Sequence, residues 1–291
     1  MQAFANKGSV QNIMENLPKV SIIIPSLDGC RDGNVERLVS DINNQTFQDI
    51  EIRLIKGIRP NGKARNEGSK DAKGRILIFI DDDIRLGNDK VLENLIRPLE
   101  SDDDLAMTGA SVKIYDDARY FQKEYNKIRN FSSPVKNTID YKGRVGHACL
   151  AVKKYIFQEL GGENEDLIRG TDVDLNVRIK AKGYKVAVAP NTWVYHLMPN
   201  SITKLIKEAF DCGFGAAYAL KSKPGIFGLP KIKFINYTIK TRTGALIYKI
   251  ANTLVKLPVY ILIFKPVYFL FFLFHTAGYV YGWLKFRGAP R

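Results

Sequence analysis

Five consecutive apolar residues, Ile76-Leu77-Ile78-Phe79-Ile80, stop abruptly at three aspartates, Asp81-Asp82-Asp83. A run that short and β-branched predicts a strand buried on both faces, which needs helices above and below its sheet. Residues 20–25 and Ile50 to Ile55 read the same way. Between them Val35, Leu38, Val39 and Ile42 recur at helical spacing, and a helix is expected over about 63–72. Strands alternating with helices predict an α/β fold with a parallel sheet, whose ligands sit beyond the carboxyl ends of the strands. The three aspartates fall at such an end.

Further along, residues 88–100 read as a helix, 105–115 as extended and 117–131 as a helix. Apolar residues return from His147 to Val152, and helices are expected over 153–160 and 172–182, a strand at Lys185 to Ala189 and a helix over 201–220. No internal repeat is visible. Apolar residues at 45% and aromatics at 11% suffice for a core and exclude wholesale disorder. Cys30, Cys149 and Cys212 are odd in number and far apart, which argues against a disulfide scaffold or a cysteine zinc site and for a reducing compartment. No charged segment followed by an apolar one opens the chain, so no secretory signal is expected.

Three adjacent carboxylates ending a buried strand repel one another, and a divalent cation would hold them together. Asp102-Asp103-Asp104 lacks so apolar a strand and reads as a solvated turn. A second candidate, Gly57-Ile58-Arg59-Pro60-Asn61-Gly62-Lys63-Ala64, approaches the phosphate-cradling pattern G-x-x-x-x-G-K-[ST] and would make the chain a P-loop-like nucleotide hydrolase. Ala64 stands where that pattern needs a hydroxyl for magnesium. A third, Gly170-Thr171-Asp172-Val173-Asp174, opens a helix, where Thr171 or Asp172 could cap and Asp174 meet the helix dipole. A carboxylate at a helix start is also held rigidly enough to serve as a base. His196, one of three histidines, follows an aromatic stretch as a packed surface residue would.

In order, Val20-Ser21-Ile22-Ile23-Ile24-Pro25, Gln45-Thr46-Phe47, Ala64-Arg65-Asn66-Glu67-Gly68 and Gly74-Arg75 leading into Asp81-Asp82-Asp83 resemble the family 2 inverting glycosyltransferases. Leu160-Gly161-Gly162, Asp172-Val173-Asp174-Leu175 with Arg178, Gly183-Tyr184 and Tyr195-His196 continue the resemblance, which covers roughly 18–220. It implies the GT-A fold of nucleotide-diphospho-sugar transferases, a mixed, mainly parallel sheet with flanking helices. It also implies a donor site at Pro25, Ser26, Asp28, Arg65, Asp81 and Asp82, and Mg²⁺ or Mn²⁺ on a D-x-D motif. Asp83 is then the direct ligand, Asp81 the other end of the motif, and His196 a further member of the metal shell. Asp172 matches the family's general base. The chain departs from the pattern at Lys56-Gly57-Ile58, where many members carry a base-reading pair of aspartates, at Leu27, and at Thr171, where Glu is usual. Asp28 could substitute in part for the missing pair. A non-catalytic scaffold of the same fold is the alternative that these departures leave.

The charge is divided unevenly. Of 44 basic and 30 acidic residues, residues 1–199 hold 30 and 28, a net of +2, whereas 200–291 hold 14 and 2, a net of +12. Pro266 to Leu284 contain no Asp, Glu, Lys or Arg. At about 1.5 Å per residue, such a helix approaches the roughly 30 Å of bilayer hydrocarbon. Lysines beside an aromatic apolar stretch suit an anionic membrane surface and argue against nucleic acid as the partner. Lys265, with Pro258 and Pro266, divides 254–284 into two pieces, compatible with a span or a hairpin. The expected organisation is an N-terminal extension over 1–17, a catalytic domain over 18–220 and a membrane-associating region over 221–291. The partners expected are a nucleotide-sugar donor, a lipid-linked or membrane-proximal glycan acceptor and anionic lipid, with the catalytic domain on the cytoplasmic face of the cell membrane.

Overall fold

The computed structural model describes residues 17–143, 145–227, 231–232, 237–239 and 241–286. Residues 1–16 of the expected N-terminal extension lie outside them, as do Arg287 and Arg291. By internal packing the chain divides into two units, one of residues 1–111, 135–163 and 178–195, the other of 112–134, 164–177 and 196–291.

The first unit is built on a sheet. In chain order come β1 (Val20–Ser26), α1 (Asn34–Asn43), β2 (Ile50–Lys56), α2 (Asn61–Lys70), β3 (Ile76–Ile80), β4 (Ile84–Leu86), α3 (Val91–Ser101) and β5 (Leu105–Lys113). After α4 (Tyr120–Arg129), which belongs to the second unit, follow β6 (Cys149–Lys153), α5 (Lys154–Glu159), α6 (Thr171–Ala181), most of it likewise in the second unit, and β7 (Lys185–His196). The seven strands run in the order β2-β1-β3-β6-β5-β7-β4. β1 is parallel to β2 and to β3, with Ile22 opposite Ile52 and Ile78. β6 is antiparallel to β3 and to β5, so the sheet is mixed rather than purely parallel. The reason is topological: β6 enters after the excursion of 114–148 and returns between two strands that run the other way.

The β-branched runs form the core. Ile22, Ile23, Ile24, Leu77, Ile78, Phe79 and Ile80 are fully buried, and Val35, Leu38 and Ile42 pack the buried face of α1. Each such side chain contributes about 1.5–3 kcal/mol of burial. Because β1, β2 and β3 are parallel and in register, Ser26, Lys56 and Asp81 reach the same edge of the sheet. β7 is longer than expected: it continues past Pro190, where Asn191 takes φ +50 and its N–H donates to the Lys136 carbonyl at 2.6 Å.

In the second unit the remaining elements are α7 (Ile202–Ser222), the short α8 (Pro224–Phe227), a two-stranded ribbon β8 (Lys231–Ile232) and β9 (Tyr237–Thr238), α9 (Arg242–Leu262) and α10 (Pro266–Lys285). The divided apolar tail is therefore a helical pair, and its first member begins at Arg242, earlier than the sequence suggested. Tyr125, Leu205, Ala209, Val267 and Phe271 share a core of α4, α7 and α10. α7 and α10 meet backbone to backbone: a Cβ on Gly213 would lie 1.9 Å from the His275 carbonyl oxygen, and one on Gly278 would lie 2.1 Å from that of Phe210. Gly278 and Gly282 are four residues apart, the small-residue spacing of close helix contacts in membranes.

Among the described residues two helices, α9 and α10, are long and apolar enough to cross a bilayer. A buried core helix satisfies the same criterion, but α9 leaves Leu254, Val255 and Leu262 more than 60% exposed, and so is Phe264 just beyond its end. An apolar groove of about 500 Å³ lies between α9 and α10, lined by residues that include Ile250, Leu254, Leu273 and Leu284.

Candidate active site

Asp81 follows β3 directly, and the triplet is held by the chain's own donors. Arg65 Nη2 is 2.5 Å from Asp81 Oδ1, the Ser26 hydroxyl donates to Asp82 Oδ2 at 2.7 Å, and Arg31 Nη2 donates to Asp83 Oδ2 at 3.0 Å. The Asn34 amide secures the bend by donating to the carbonyls of Asp82 and Ile84 at 2.8 and 3.0 Å. Burial pushes the Asp82 carboxyl up to about 6; Ser26 and Arg31 oppose the shift, and the charges of Asp83 and Asp81 add to it.

Hard oxygen donors such as these carboxylates suit Mg²⁺ or Mn²⁺. Among the described residues no three His, Cys, Asp or Glu side chains are grouped as a closed metal cage. Magnesium is commonly held by only one or two carboxylates and completed by substrate phosphates. Asp83 and Asp81 are the residues that would hold it.

Behind the triplet lies a polar network that the sequence did not announce. Arg65 is 2% exposed on α2, and its Nη1 stands 3.4 Å from Glu163 Oε2. Glu163, fully buried in its side chain, also meets Nε2 of His147. Asn66 clamps the Glu163 backbone from both sides, its amide donating to the carbonyl at 2.9 Å and its oxygen accepting the N–H at 2.8 Å. That clamp needs Gly162, at φ +74, because a Cβ there would lie 2.5 Å from Asn66 Oδ1. The signal available was the Gly161-Gly162 pair just before a glutamate. Breaking one partner out of such a buried cluster costs about 3–5 kcal/mol.

Of the other expected donor residues, Pro25 and Ser26 end β1. Asp28 is exposed, and its carboxylate accepts the N–H groups of Arg31 and Cys30 at 2.8 and 2.9 Å, which hold it below the ordinary carboxylate range. The P-loop reading is overturned. α2 begins at Asn61, and at the position where the pattern needs a magnesium-holding hydroxyl stands Ala64, a fully buried methyl group that can hold none.

The second unit carries the remaining two candidates. Asp172 and Asp174 stand in the first turn of α6, where the helix dipole favours negative charge. Asp174 is buried, whereas Asp172 is partly exposed, with its carbonyl accepting from Asn176 at 2.7 Å. Just before this turn, Arg169 reaches back to α7, donating to Glu208 at 3.0 Å and to Cys212 Sγ at 3.2 Å. His196 ends β7 with its ring stacked on Phe131, centroids 4.9 Å apart, and its Nδ1 3.1 Å from the Leu197 carbonyl oxygen.

Comparison with solved structures agrees with this fold. The mannosyltransferase PcManGT from Pyrobaculum calidifontis, in complex with GDP-Man and Mn²⁺, superposes with a TM-score of 0.56 over 92% of this chain and 88% of its own, at 15% identity. In sequence, the chain is 25% identical over 197 residues to the uncharacterized glycosyltransferase MJ1057 of Methanocaldococcus jannaschii, covering 67% of this chain and 66% of that protein. It is also 25% identical over 226 residues to the uncharacterized protein y4gI of Sinorhizobium fredii, covering 63% of this chain and 25% of that protein. The chain thus spans just under two thirds of the first relative and a quarter of the second. Residues 9–211 match the family described as Glycosyltransferase like family 2, well over half of the chain, and the protein belongs to that family.

Proposed function

We propose that the protein is a metal-dependent, inverting glycosyltransferase that moves a sugar from a nucleotide-sugar donor to an acceptor held at a membrane. The observation that carries this reading is the Asp81 to Asp83 triplet at the carboxyl end of β3, tied to Arg65 and Ser26, in a chain of this family. The complex of PcManGT with GDP-Man and Mn²⁺ supports extending that donor class and metal to this chain. A bound Mg²⁺ or Mn²⁺ would offset the charge that grows on the departing diphosphate. Ser26 and Arg65 keep Asp82 and Asp81 in fixed poses at the donor site, to which Pro25 and Asp28 also belong. His196 is assigned to the metal shell.

Asp172 takes the proton of the acceptor hydroxyl as that oxygen attacks the anomeric carbon. A single displacement from the opposite face inverts the configuration and needs no covalent enzyme intermediate. The exposed apolar side chains of α9, the groove beside it and the +12 charge of 200–291 support a lipid-linked acceptor, such as a polyprenyl-phosphate glycan or glycolipid, and attachment to anionic lipid. We assign 18–220 to catalysis, facing the cytoplasm where nucleotide sugars are made, and 221–291 to the membrane.

Release of nucleoside diphosphate from a panel of sugar nucleotides, with and without Mn²⁺ and membrane lipid extract, tests the reading. Turnover that requires Mn²⁺ and is lost in Asp83→Ala and Asp172→Asn is the expected result. Turnover unchanged in both variants would overturn the roles, and no turnover with any donor would overturn the activity.

A further inference from the structure

The loop between β1 and α1 places one cation directly on the acidic triplet. Arg31 Nη2 donates to Asp83 Oδ2 at 3.0 Å, and its Nε stands 3.6 Å from Asp82 Oδ1. The loop is shaped to put it there. The Asp28 carboxylate accepts the Cys30 and Arg31 N–H groups, Gly29 N–H donates to Ser26 Oγ at 3.0 Å, and that hydroxyl in turn donates to Asp82. Arg31 and Asp32 both take left-handed backbone conformations, at φ +50 and +56.

Stability does not account for this arrangement. The Arg31 side chain is 52% exposed, and ion pairs in such positions add little. A left-handed conformation at a non-glycine residue costs about as much as the pair returns. The contrast with Arg65 is instructive: the Arg65 side chain is 3% exposed and fixed by Glu163, whereas Arg31 reaches the same triplet from the solvent side with half of its side chain exposed.

We propose that Arg31 is a resident countercation of the donor site. It neutralises Asp82 and Asp83 in the free enzyme and passes to the diphosphate oxygens when a metal-bound sugar nucleotide arrives. The inference rests on the assignment of the triplet to metal and diphosphate. While Arg31 is seated on Asp83, a divalent cation approaching alone meets a positive charge and a carboxylate oxygen already engaged. A cation arriving with a nucleoside diphosphate brings the anion that gives the guanidinium a second, bidentate partner, so exchange replaces repulsion. Arg31 thereby couples metal entry to donor entry.

The coupling predicts two effects of opposite sign from one substitution. In Arg31→Ala, Mn²⁺ alone, followed by the electron paramagnetic resonance of free Mn²⁺, binds at least fivefold more tightly than to the wild type. Mn²⁺ with GDP or UDP, titrated by calorimetry, binds at least fivefold more weakly. Arg31→Gln gives the same pair of signs and guards against a local effect of alanine in the loop; thermal melting checks that both variants fold. Affinity for Mn²⁺ alone that is unchanged or lower in both variants overturns the proposal, as does undiminished binding of Mn²⁺ with nucleotide. Asp83→Ala separates the two levels of inference. Nucleotide binding that depends on Asp83 but not on Arg31 leaves the donor site standing and removes the countercation. Failure of the wild type to bind Mn²⁺ with either nucleotide overturns both.

Discussion

Asp81-Asp82-Asp83 and Asp102-Asp103-Asp104 belong to the same unit and flank strands of the same sheet. The first triplet follows β3, and the second precedes β5, which runs in the same direction as β3, so the two lie at opposite edges. At the first, two guanidiniums and a hydroxyl engage three largely buried carboxylates, and the Asp82 carboxyl is raised to about 6. At the second, Lys185 lies 3.2 Å from both Asp102 and Asp104, Lys153 donates to the carbonyls of Asp102 and Asp103, and Asp104 is 72% exposed. Slight burial pushes Asp102 up, but Lys185, the Asp104 N–H and Tyr141 outweigh it and hold its carboxyl below the ordinary range. Adjacent carboxylates are therefore no site in themselves. What separates the triplets is desolvation together with a buried cation, Arg65, whose position the core dictates.

The largest expected effect that would break this comparison is on turnover. Asp83→Ala should lower nucleoside diphosphate release by a factor on the order of 100 to 1,000, the scale of losing an electrostatic partner of the reacting groups. Asp103→Ala should leave it unchanged; equal losses would mean that the two triplets do not differ in function.

Next comes stability. Glu163→Ala removes one partner of the buried cluster behind the first triplet and should cost about 3 kcal/mol or more in urea unfolding. Lys185→Ala, at the exposed second triplet, should shift the midpoint only slightly. A smaller effect, opposite in sign at the two sites, is expected from neutralising single carboxylates in chelator-treated protein. Because Asp82 is raised, the folded chain retains a proton there that the unfolded chain has lost between the usual 3.8 and about 6. Stability falls as pH rises through that window, and Asp82→Asn should raise the melting temperature above pH 6. Asp102 is lowered instead; its contribution is present above the ordinary carboxylate pKa and is lost as pH falls through its own, so Asp102→Asn should lower the melting temperature at neutral pH. Smallest of all, Asp104→Asn should leave the melting temperature where it is.

What the sequence made legible follows from range. β3 and its aspartates could be read because five apolar residues and three acidic ones are contiguous, and α1 because its apolar spacing is local. β4 escaped notice because three residues carry no period; it exists through β7, where the Gly87 N–H donates to the Trp193 carbonyl at 3.0 Å. β7 itself was cut short at Pro190 by a rule that holds for central strands, whereas a turn of backbone at Asn191 lets the ladder resume. α9 was obscured by Lys249, Lys256 and Pro258, which interrupt its apolar run. The Arg65, Glu163 and His147 cluster joins residues nearly a hundred positions apart, and only folding reveals that a glutamate after two glycines meets that arginine.

The close approaches at Gly213 and Gly278 bear on how this protein can be handled. A terminal hydrophobic helix is commonly treated as a detachable anchor, to be trimmed for solubility or exchanged for a generic one. Here the carbonyl groups of His275 and Phe210 occupy the places where Cβ atoms would stand, so α10 is a fitted part of the second unit. A truncation before Arg242 would strip α7 of the surface against which its glycines are matched, and a borrowed anchor with any larger side chain at position 278 could not seat. A preparation that retains the whole chain in detergent or nanodiscs preserves the pairing on which α7 depends.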